Sequence, residues 1–119
     1  MSERKYSKDH EWLELNDDIA TVGITNYAQE SLGDIVFIEL PDIGRFVKFG
    51  EQIGVVESVK AASDIFSPVS GEIIEVNNEL QNSPQLLNTD PENTGWYMKI
   101  KIDNAEELTN LMNFNQYKE

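Results

Sequence analysis

The sequence contains no cysteine and a single histidine, His10. Without cysteine the chain forms no disulfide bond, carries no thiol nucleophile and offers no thiolate ligand to a metal. One histidine excludes histidine-rich zinc or iron sites and leaves little material for a Ser-His-Asp triad. The usual side-chain chemistry of hydrolases and metalloenzymes is therefore missing, and we expect neither a catalytic residue nor a metal site.

Positive charge is also scarce. Nine Lys and Arg residues oppose 22 Asp and Glu residues, which gives a net charge of −13 at pH 7. A chain this acidic is repelled by nucleic-acid phosphates and by anionic lipid, so we expect no nucleic acid and no membrane among its partners. A protein partner should present a basic face.

Long hydrophobic runs are absent, and no segment approaches the length of a membrane span. The first residues, 1–5 (MSERK), are not followed by the apolar stretch of a signal peptide. We therefore expect a cytoplasmic bacterial protein, or a protein of the mitochondrial matrix only if a transit peptide has been removed. The 119 residues suit one domain, which we expect to be a monomer.

Short β-strand patterns dominate the chain. Alternating or continuous apolar residues predict strands at residues 19–24, 35–38, 53–59, 62–66, 72–76 and 96–102. Residues 35–38 (IVFI) are apolar at every position, which predicts a strand buried on both faces. In the next strand, Ile53 and Val55 are in phase on one face. Many short strands with turn residues between them predict an all-β sandwich or a flattened barrel.

Helix signals are few and short. Asn26 before residues 27–32 and Gly33 after them predict a helix of about two turns. Pro84 is a good first-turn residue for a helical turn over residues 85–88.

The C-terminal region carries a stronger helix signal. Asp103 and Glu106 have the spacing of a capping box, and Leu108, Leu111 and Met112 follow as an i, i+3, i+4 apolar stripe. This pattern predicts a C-terminal helix.

One lysine, Lys60, lies between two apolar segments within residues 54–66. If these segments form a hairpin, Glu57 faces Ser63 and Lys60 projects into water at the tip. The turn lacks the glycine or asparagine that tight hairpins favour. Pattern alone favours an ordinary solvated lysine, because exposed lysines are common. The alternative is a lysine displayed for covalent modification.

The segment around Lys60 is similar to the lipoyl-lysine region of the glycine cleavage H-protein family. The similarity lies in residues 56–61 (VESVKA), with residues 67–73 (SPVSGEI) after them. Other matching segments are residues 6–12 (YSKDHEW), 23–29 (GITNYAQ), 32–41 (LGDIVFIELP) and 95–100 (GWYMKI). The resemblance spans residues 6–112. We therefore predict one lipoyl-carrier domain over residues 1–119, with its core at about 6–112 and a C-terminal tail at 113–119.

The resemblance implies a mostly β fold, the barrel–sandwich hybrid of lipoyl and biotinyl carriers, with short peripheral helices that include a C-terminal one. It implies a carrier rather than an enzyme, with lipoate attached covalently to Lys60 by a lipoate ligase or a lipoyl/octanoyl transferase. The implied partners are glycine decarboxylase (P protein), aminomethyltransferase (T protein) and dihydrolipoamide dehydrogenase (L protein). The cofactor would carry the reaction chemistry, which agrees with the missing side-chain chemistry.

The resemblance also suggests roles for residues near Lys60. Glu57 and Gly44 match positions that help a ligase to recognise the site, and Glu11 and Asp64 match the cleft in which the loaded arm rests. From the residues alone, Glu57 is equally consistent with a solvated charge on an outward strand face, and Asp64 with a surface acid near a turn.

Other residues that could suggest chemistry are assigned structural roles or none. Trp12 is expected in the core, and His10 is assigned a structural rather than a catalytic role. Some family members carry a histidine where this chain has Ser31, so a role of that histidine does not transfer. Residues 17–18 (DD) lack the ligand spacing of a calcium loop and predict a turn between strands.

Alternatives remain at this point. An H-like protein could act as a lipoyl relay that donates lipoate to 2-oxoacid dehydrogenase subunits, and the sequence does not separate this role from glycine cleavage. A biotin carrier has the same fold class, but such carriers flank the lysine with methionine, whereas Val59 and Ala61 flank Lys60. A small hydrolase would need a nucleophile and a base that this chain hardly offers.

Overall fold

The computed structural model describes residues 3–118, which form short strands joined by turns and short helices. The strands are β1 Glu3–Tyr6, β2 Glu11–Asn16, β3 Ile19–Ile24, β4 Ile35–Glu39, β5 Phe46–Val47, β6 Gln52–Ser58, β7 Ala62–Phe66, β8 Gly71–Val76 and β9 Met98–Ile102. The helices are α1 Asn26–Leu32, α2 Glu79–Asn82, α3 Leu86–Thr89, a 3₁₀ helix Ala105–Asn110 and α4 Phe114–Tyr117. The predicted mostly β class with short peripheral helices is confirmed.

The strands form two antiparallel sheets. The larger sheet has the order β1-β2-β3-β9-β8-β5, and the smaller has the order β4-β6-β7. Both sheets contribute to one hydrophobic core, which includes Leu13, Val22, Ile38, Val56 and Ile100. The smaller sheet is thereby held rigidly against the larger one, and it carries the hairpin that contains Lys60.

Strand β4 is not buried on both faces, so that prediction was wrong. Ile35 and Ile38 are buried, but 55% of Val36 and 51% of Phe37 is exposed. The pairing of β4 with β6 shifts register between Ile35 and Phe37. A bulge of this kind inserts an extra residue and re-aims the side chains that follow it.

A second irregularity changes the phase of β6. Its register with β7 shifts between Gln52 and Gly54. As a result Ile53 and Val56 are buried, whereas Val55 is only half-buried. The predicted phase, with Ile53 and Val55 on one face, was therefore wrong.

Helix α1 begins one residue earlier than predicted. Its N-cap is Thr25, whose hydroxyl accepts a hydrogen bond from the backbone N–H of Ala28 (3.2 Å), so the cap is not Asn26. Gly33 ends the helix with φ 83°, a left-handed conformation that suits glycine, as expected. Helix α3 lies one residue beyond the predicted turn, and α2 was not predicted. Among the described helices, none has the length and apolarity needed to cross a membrane.

A C-terminal helix is present, as expected, but it is α4, and the segment predicted to form it contains a 3₁₀ helix. Asn104, and not Asp103, caps it by accepting a hydrogen bond from the backbone N–H of Glu106 (3.0 Å). The helix ends before Leu111, which is extended (ψ 157°). Met112 then exchanges two backbone hydrogen bonds of 2.7 Å with Tyr6 on β1. This pairing straightens the chain and breaks the expected helical stripe.

The residues expected to form a C-terminal tail contain helix α4. Asn113 and Gln116 make a complete capping box at its start. The ring of Tyr117 stacks on Tyr6 with a centroid separation of 4.8 Å, and Phe114 packs on the same ring at 5.8 Å. Helix α4 is thus packed against the sheet, while Glu119 lies outside the described residues.

Candidate functional site

Lys60 lies at the exposed tip of the β6–β7 hairpin. The backbone N–H of Ser58 donates to the carbonyl oxygen of Ala61 (2.7 Å), which closes a tight turn over Val59 and Lys60. The Ser58 hydroxyl accepts a second hydrogen bond from the N–H of Ala61 (3.1 Å). Neither Val59 nor Lys60 has a positive φ, so this turn does not require glycine, and the Ser58 hydroxyl stabilises it. Sequence reasoning gave Ser58 no role, although a serine at the start of a turn was a usable signal.

The hairpin register differs from the prediction by one residue. Glu57 pairs with Ala62, and Val56 pairs with Ser63, so Glu57 does not face Ser63. The reason is the turn itself, because two residues occupy the tip instead of three residues centred on Lys60. One consequence is that Lys60 shares the tip of the turn with the exposed Val59 and is not its single central residue.

The loop before β4 supports the hairpin tip from below. The N–H of Val59 donates to the carbonyl oxygen of Asp34 (2.9 Å). The Cε atom of Lys60 lies 3.4 Å from the position that a Cβ would occupy on Gly33, so the aliphatic part of the lysine rests on this glycine. The ε-amine is therefore presented to solvent from a base with fixed geometry.

Asn88 on α3 fastens that loop and was missed by sequence reasoning. Its side-chain oxygen accepts from the N–H of Ile35 (2.9 Å), and its amide nitrogen donates to the carbonyl oxygen of Gly33 (2.8 Å). A third hydrogen bond joins the same amide to Gln29 on α1 (3.0 Å). No local pattern around Asn88 signals these contacts, because its partners lie more than 50 residues away in the chain.

The two residues expected to contribute to ligase recognition lie at different ends of the small sheet. Glu57 is exposed on β6, three residues before Lys60. Gly44 donates its N–H to the carbonyl oxygen of Ile73 (2.7 Å) and precedes Arg45, which hydrogen-bonds to Gln52 at the far end of β6. Strand β6 separates the two ends by ~20 Å. The structure therefore places Glu57 next to Lys60 and Gly44 far from it.

A small cavity begins beside the hairpin tip. It has a volume of about 170 Å³ and lies between α1 and β7, with Asp64, Ser31 and Leu32 among its lining residues. Leu32 precedes the glycine on which Lys60 rests, so the cavity is within reach of the lysine. Asp64 is exposed and accepts a hydrogen bond from the side chain of Gln52 (3.0 Å). A carboxylate in such a groove can bind a cationic amine by a charge-assisted hydrogen bond.

Glu11 is a buried acid at the start of β2. Only 2% of it is exposed. The Ser7 hydroxyl donates to one carboxyl oxygen (2.6 Å), and the backbone N–H of Phe66 donates to the other (3.3 Å). Burial raises the pKa of Glu11 to about 7. The two hydrogen bonds lower this pKa and the charge of Asp9 raises it, but both effects are smaller than that of burial. Near neutral pH the carboxyl group is thus poised between its neutral and charged forms.

Glu11 lines a second, larger cavity of about 490 Å³. Most of its wall is apolar, and Phe49, Phe66 and Leu111 are among the lining residues. Asp64 is not among its lining residues, and Glu11 does not line the smaller cavity. Asp9 borders both cavities. The two acids that sequence reasoning placed in one cleft are therefore in adjoining cavities that share Asp9 as a border.

His10 has a structural environment. Its Nδ1 atom is 2.7 Å from the hydroxyl of Tyr117, and its ring packs on Tyr27 with a centroid separation of 4.5 Å. Trp12 is buried as expected and donates from its ring nitrogen to the carbonyl oxygen of Pro91 (3.0 Å). Residues 17–18 form the β2–β3 turn. In residues 3–118, no group of three or more His, Asp or Glu side chains is arranged to hold a metal ion.

Comparisons with known proteins show the family of the chain. A family model described as glycine cleavage H-protein matches residues 4–119. The chain is 51% identical over 119 residues to the glycine cleavage system H protein of Xanthobacter autotrophicus, covering 100% of this chain and 95% of the relative. It is 50% identical to the protein of the same description from Thermotoga maritima, covering 100% and 96%. The crystal structure of a glycine cleavage system H protein from Mycobacterium marinum is similar with a TM-score of 0.90 at 38% identity, covering 97% of this chain and 93% of that one.

Proposed function

Because the chain belongs to the glycine cleavage H-protein family and serves as a lipoyl-bearing shuttle of the glycine cleavage system, we propose that Lys60 is the residue that carries its lipoyl group. The observation that carries this proposal is the display of Lys60. Its amine is exposed on a two-residue turn whose backbone is hydrogen-bonded on both sides. An acylating enzyme can therefore take hold of the amine without unfolding the hairpin.

The residues around Lys60 fit a long acyl arm. The aliphatic part of the lysine rests on Gly33. Leu32, the residue before this glycine, lines the cavity that Asp64 also lines. When attached, the lipoyl group would supply a dithiolane that receives an aminomethyl unit at glycine decarboxylase (P protein), yields it at the aminomethyltransferase (T protein) and is reoxidised by dihydrolipoamide dehydrogenase (L protein). The chain itself would be a carrier and not an enzyme, forming one domain over residues 1–119.

We propose two groups of supporting residues. Asp64 would hold the cationic amine when the loaded arm lies in the cavity next to Lys60, and Glu11 would hold it when the arm lies in the adjoining cavity. Glu57 would help a lipoate ligase or a lipoyl/octanoyl transferase to recognise the hairpin. Gly44, at the far end of β6, would contribute only if that enzyme also covers the length of the strand.

The glycine cleavage role is tested by two measurements on one preparation. Intact mass and peptide mapping of protein purified from its native host should find one lipoyl group, on Lys60. This lipoylated protein should support glycine–bicarbonate exchange with a glycine decarboxylase, and the unmodified protein should not. Lipoylated protein that fails in the exchange would refute the carrier role.

The lipoyl relay is the second candidate and is not favoured. Both relatives and the solved structure compared above are described as glycine cleavage system H proteins. The relay and the shuttle share Lys60 and the fold, so the exchange reaction is the measurement that separates them.

The first functional prediction concerns the loaded arm. Asp64→Asn and Glu11→Gln should each leave the fold and the final extent of lipoylation after prolonged incubation unchanged, and each should speed the spontaneous loss of the aminomethyl group from isolated carrier. The expected acceleration is about two- to fivefold, ~1 kcal/mol or less for each acid, because Asp64 is exposed and Glu11 is only partly charged near neutral pH. Formaldehyde release in buffer measures this loss. Asp42→Asn, an exposed acid outside both cavities, is the matched control. Release at the unmutated rate from both variants would remove the sheltering role.

The second prediction concerns salt. With a net charge of −13, docking to the decarboxylase and the transferase should be steered by electrostatic attraction to basic surfaces. The apparent KM for the carrier should rise with salt, because the Debye length shortens from ~10 Å at 0.1 M to ~3 Å at 1 M. The control is the salt dependence of the KM of dihydrolipoamide dehydrogenase for free dihydrolipoamide, a reaction that does not involve the carrier. An unchanged KM with both the decarboxylase and the transferase would mean that the acids only confer solubility.

A further inference from the structure

The outer face of the small sheet carries an exposed patch next to Lys60. The strand registers place Phe37, Glu57 and Ala62 in one row across β4, β6 and β7. The next row on the same face, ~7 Å farther from the tip, contains Glu39, Val55 and Asp64. Besides the small Ala62, four residues of these rows are exposed, and we call these four, Phe37, Glu39, Glu57 and Asp64, the hairpin face.

Phe37 is the apolar residue of the hairpin face and lies on the edge strand β4. Half of this large side chain is exposed (51%), and the adjacent Val36 is 55% exposed. Both are turned outward by the bulge in β4, although the surrounding sequence would suit a fully buried strand. Bulges commonly re-aim side chains at functional sites. An exposed phenylalanine beside a modifiable lysine has the character of an interface anchor.

The charge of the hairpin face is of one sign. In the part of the chain that the structure describes, no lysine or arginine forms an ion pair with Glu39, Glu57 or Asp64. Three unpaired carboxylates on the same face as one phenylalanine would oppose a second copy of this acidic chain. They would favour a protein surface that presents lysine or arginine beside an apolar pocket.

We propose that the hairpin face is the docking surface for the enzyme that acylates Lys60, and that Phe37 is its anchor. The proposal rests on the proposed function of Lys60. Because the hairpin face lies next to Lys60, the acylating enzyme is a better candidate for its partner than other proteins with a basic surface. An acylating enzyme must grip the ε-amine itself, whereas enzymes that use the finished arm act at its distant end. A surface that begins one residue before the turn is suited to the first task.

The test uses a lipoate ligase that modifies the wild-type chain, with lipoate, ATP and intact-mass readout. Phe37→Ala should raise the KM for the carrier roughly tenfold, which corresponds to about 1.4 kcal/mol, with kcat within about twofold of the wild-type value. Phe46→Ala is the matched control, because Phe46 is 72% exposed but lies on β5 in the other sheet. Its KM should stay within about twofold of the wild-type KM. Equal melting temperatures establish that both variants are folded.

The acidic part of the face is tested with the double variant Glu39→Gln, Glu57→Gln. Its KM for the ligase should rise at low salt and become less sensitive to salt, whereas Glu106→Gln, an exposed acid on the 3₁₀ helix, should behave as wild type. Once lipoylated by prolonged incubation with ligase, Phe37→Ala should serve glycine decarboxylase at the wild-type rate.

Three results would overturn the docking proposal: an unchanged ligase KM for Phe37→Ala, an equal effect of Phe46→Ala, or an equal loss at the decarboxylase. The failure of the proposed function looks different. In that case the wild-type chain itself is not acylated at Lys60, which is detected before any variant is compared and rejects both proposals.

Discussion

Lys60→Arg is expected to abolish lipoylation and carrier activity completely while leaving the fold unchanged. Arginine retains the positive charge and the long aliphatic stem that rests on Gly33, but its guanidinium does not form the amide. The turn is held by backbone groups and by Ser58, none of which the substitution touches. Intact mass should show no added lipoyl group, and glycine–bicarbonate exchange should fall to the background of a reaction without carrier.

Lys48→Arg is the matched control for this variant. Lys48 is also exposed, but it lies beside β5 and outside the small sheet. The control should be lipoylated and should support exchange at the wild-type rate. Lipoate on a different lysine of the unmutated protein, or residual exchange by Lys60→Arg, would contradict the assignment. An altered melting temperature would instead show that Lys60 has a structural role.

The strands of this fold were predictable because their signals are local. Alternation in β3 and β9 follows from one buried face on each strand, and burial of Val22 and Ile100 agrees with it. The errors fell where pairing with a distant strand changes the local period. The bulge in β4 exposes Val36 and Phe37, and the irregularity in β6 moves burial from Val55 to Val56. The residues of the β4 bulge carry no such signal, whereas Gly54 at the β6 irregularity was a usable one, because a glycine inside a strand often marks a bulge.

The N-caps of two helices were mispredicted for a related reason. Neighbouring polar residues can each serve as the N-cap, and which one does so depends on where the preceding strand ends. Thr25 follows β3 directly and takes the cap from Asn26, while Asn104 takes it from Asp103. The helix predicted beyond Leu108 gave way to β pairing of Met112 with Tyr6, a contact that spans nearly the whole chain.

The candidate site was predictable only in its central residue. Lys60 was singled out by motifs whose order is readable from the sequence. Its supports, Ser58 and Asn88, act through hydrogen bonds that depend on the finished turn and on a loop far away in the chain. The same limit applies to Glu11 and Asp64, since a sequence gives no information on which of two adjoining cavities a side chain enters.

Glu11 leads to the second large effect, a pH dependence of stability. Burial raises its pKa from 4.5 to about 7, so the folded protein favours the neutral carboxyl group. Between these two pH values the folded state keeps a proton that the unfolded state has released. The contribution of Glu11 to the free energy of unfolding therefore falls as pH rises from about 4.5 to about 7 and is lowest above that range. The contribution between pH 5 and pH 8 is on the order of 2 kcal/mol.

Comparison with Glu11→Gln isolates this contribution from that of the other acids. Glutamine has nearly the same shape and does not titrate, so any cost of its altered hydrogen bonds to Ser7 and Phe66 is the same at both pH values. Urea unfolding should show that the wild type loses ~2 kcal/mol more than Glu11→Gln between pH 5 and pH 8. Glu106→Gln, which removes one exposed charge, should lose as much as the wild type. Equal losses for wild type and Glu11→Gln would mean that Glu11 ionises in the folded protein as it does in water, and the buried acid would then be fully charged and ready for a cationic arm at every neutral pH.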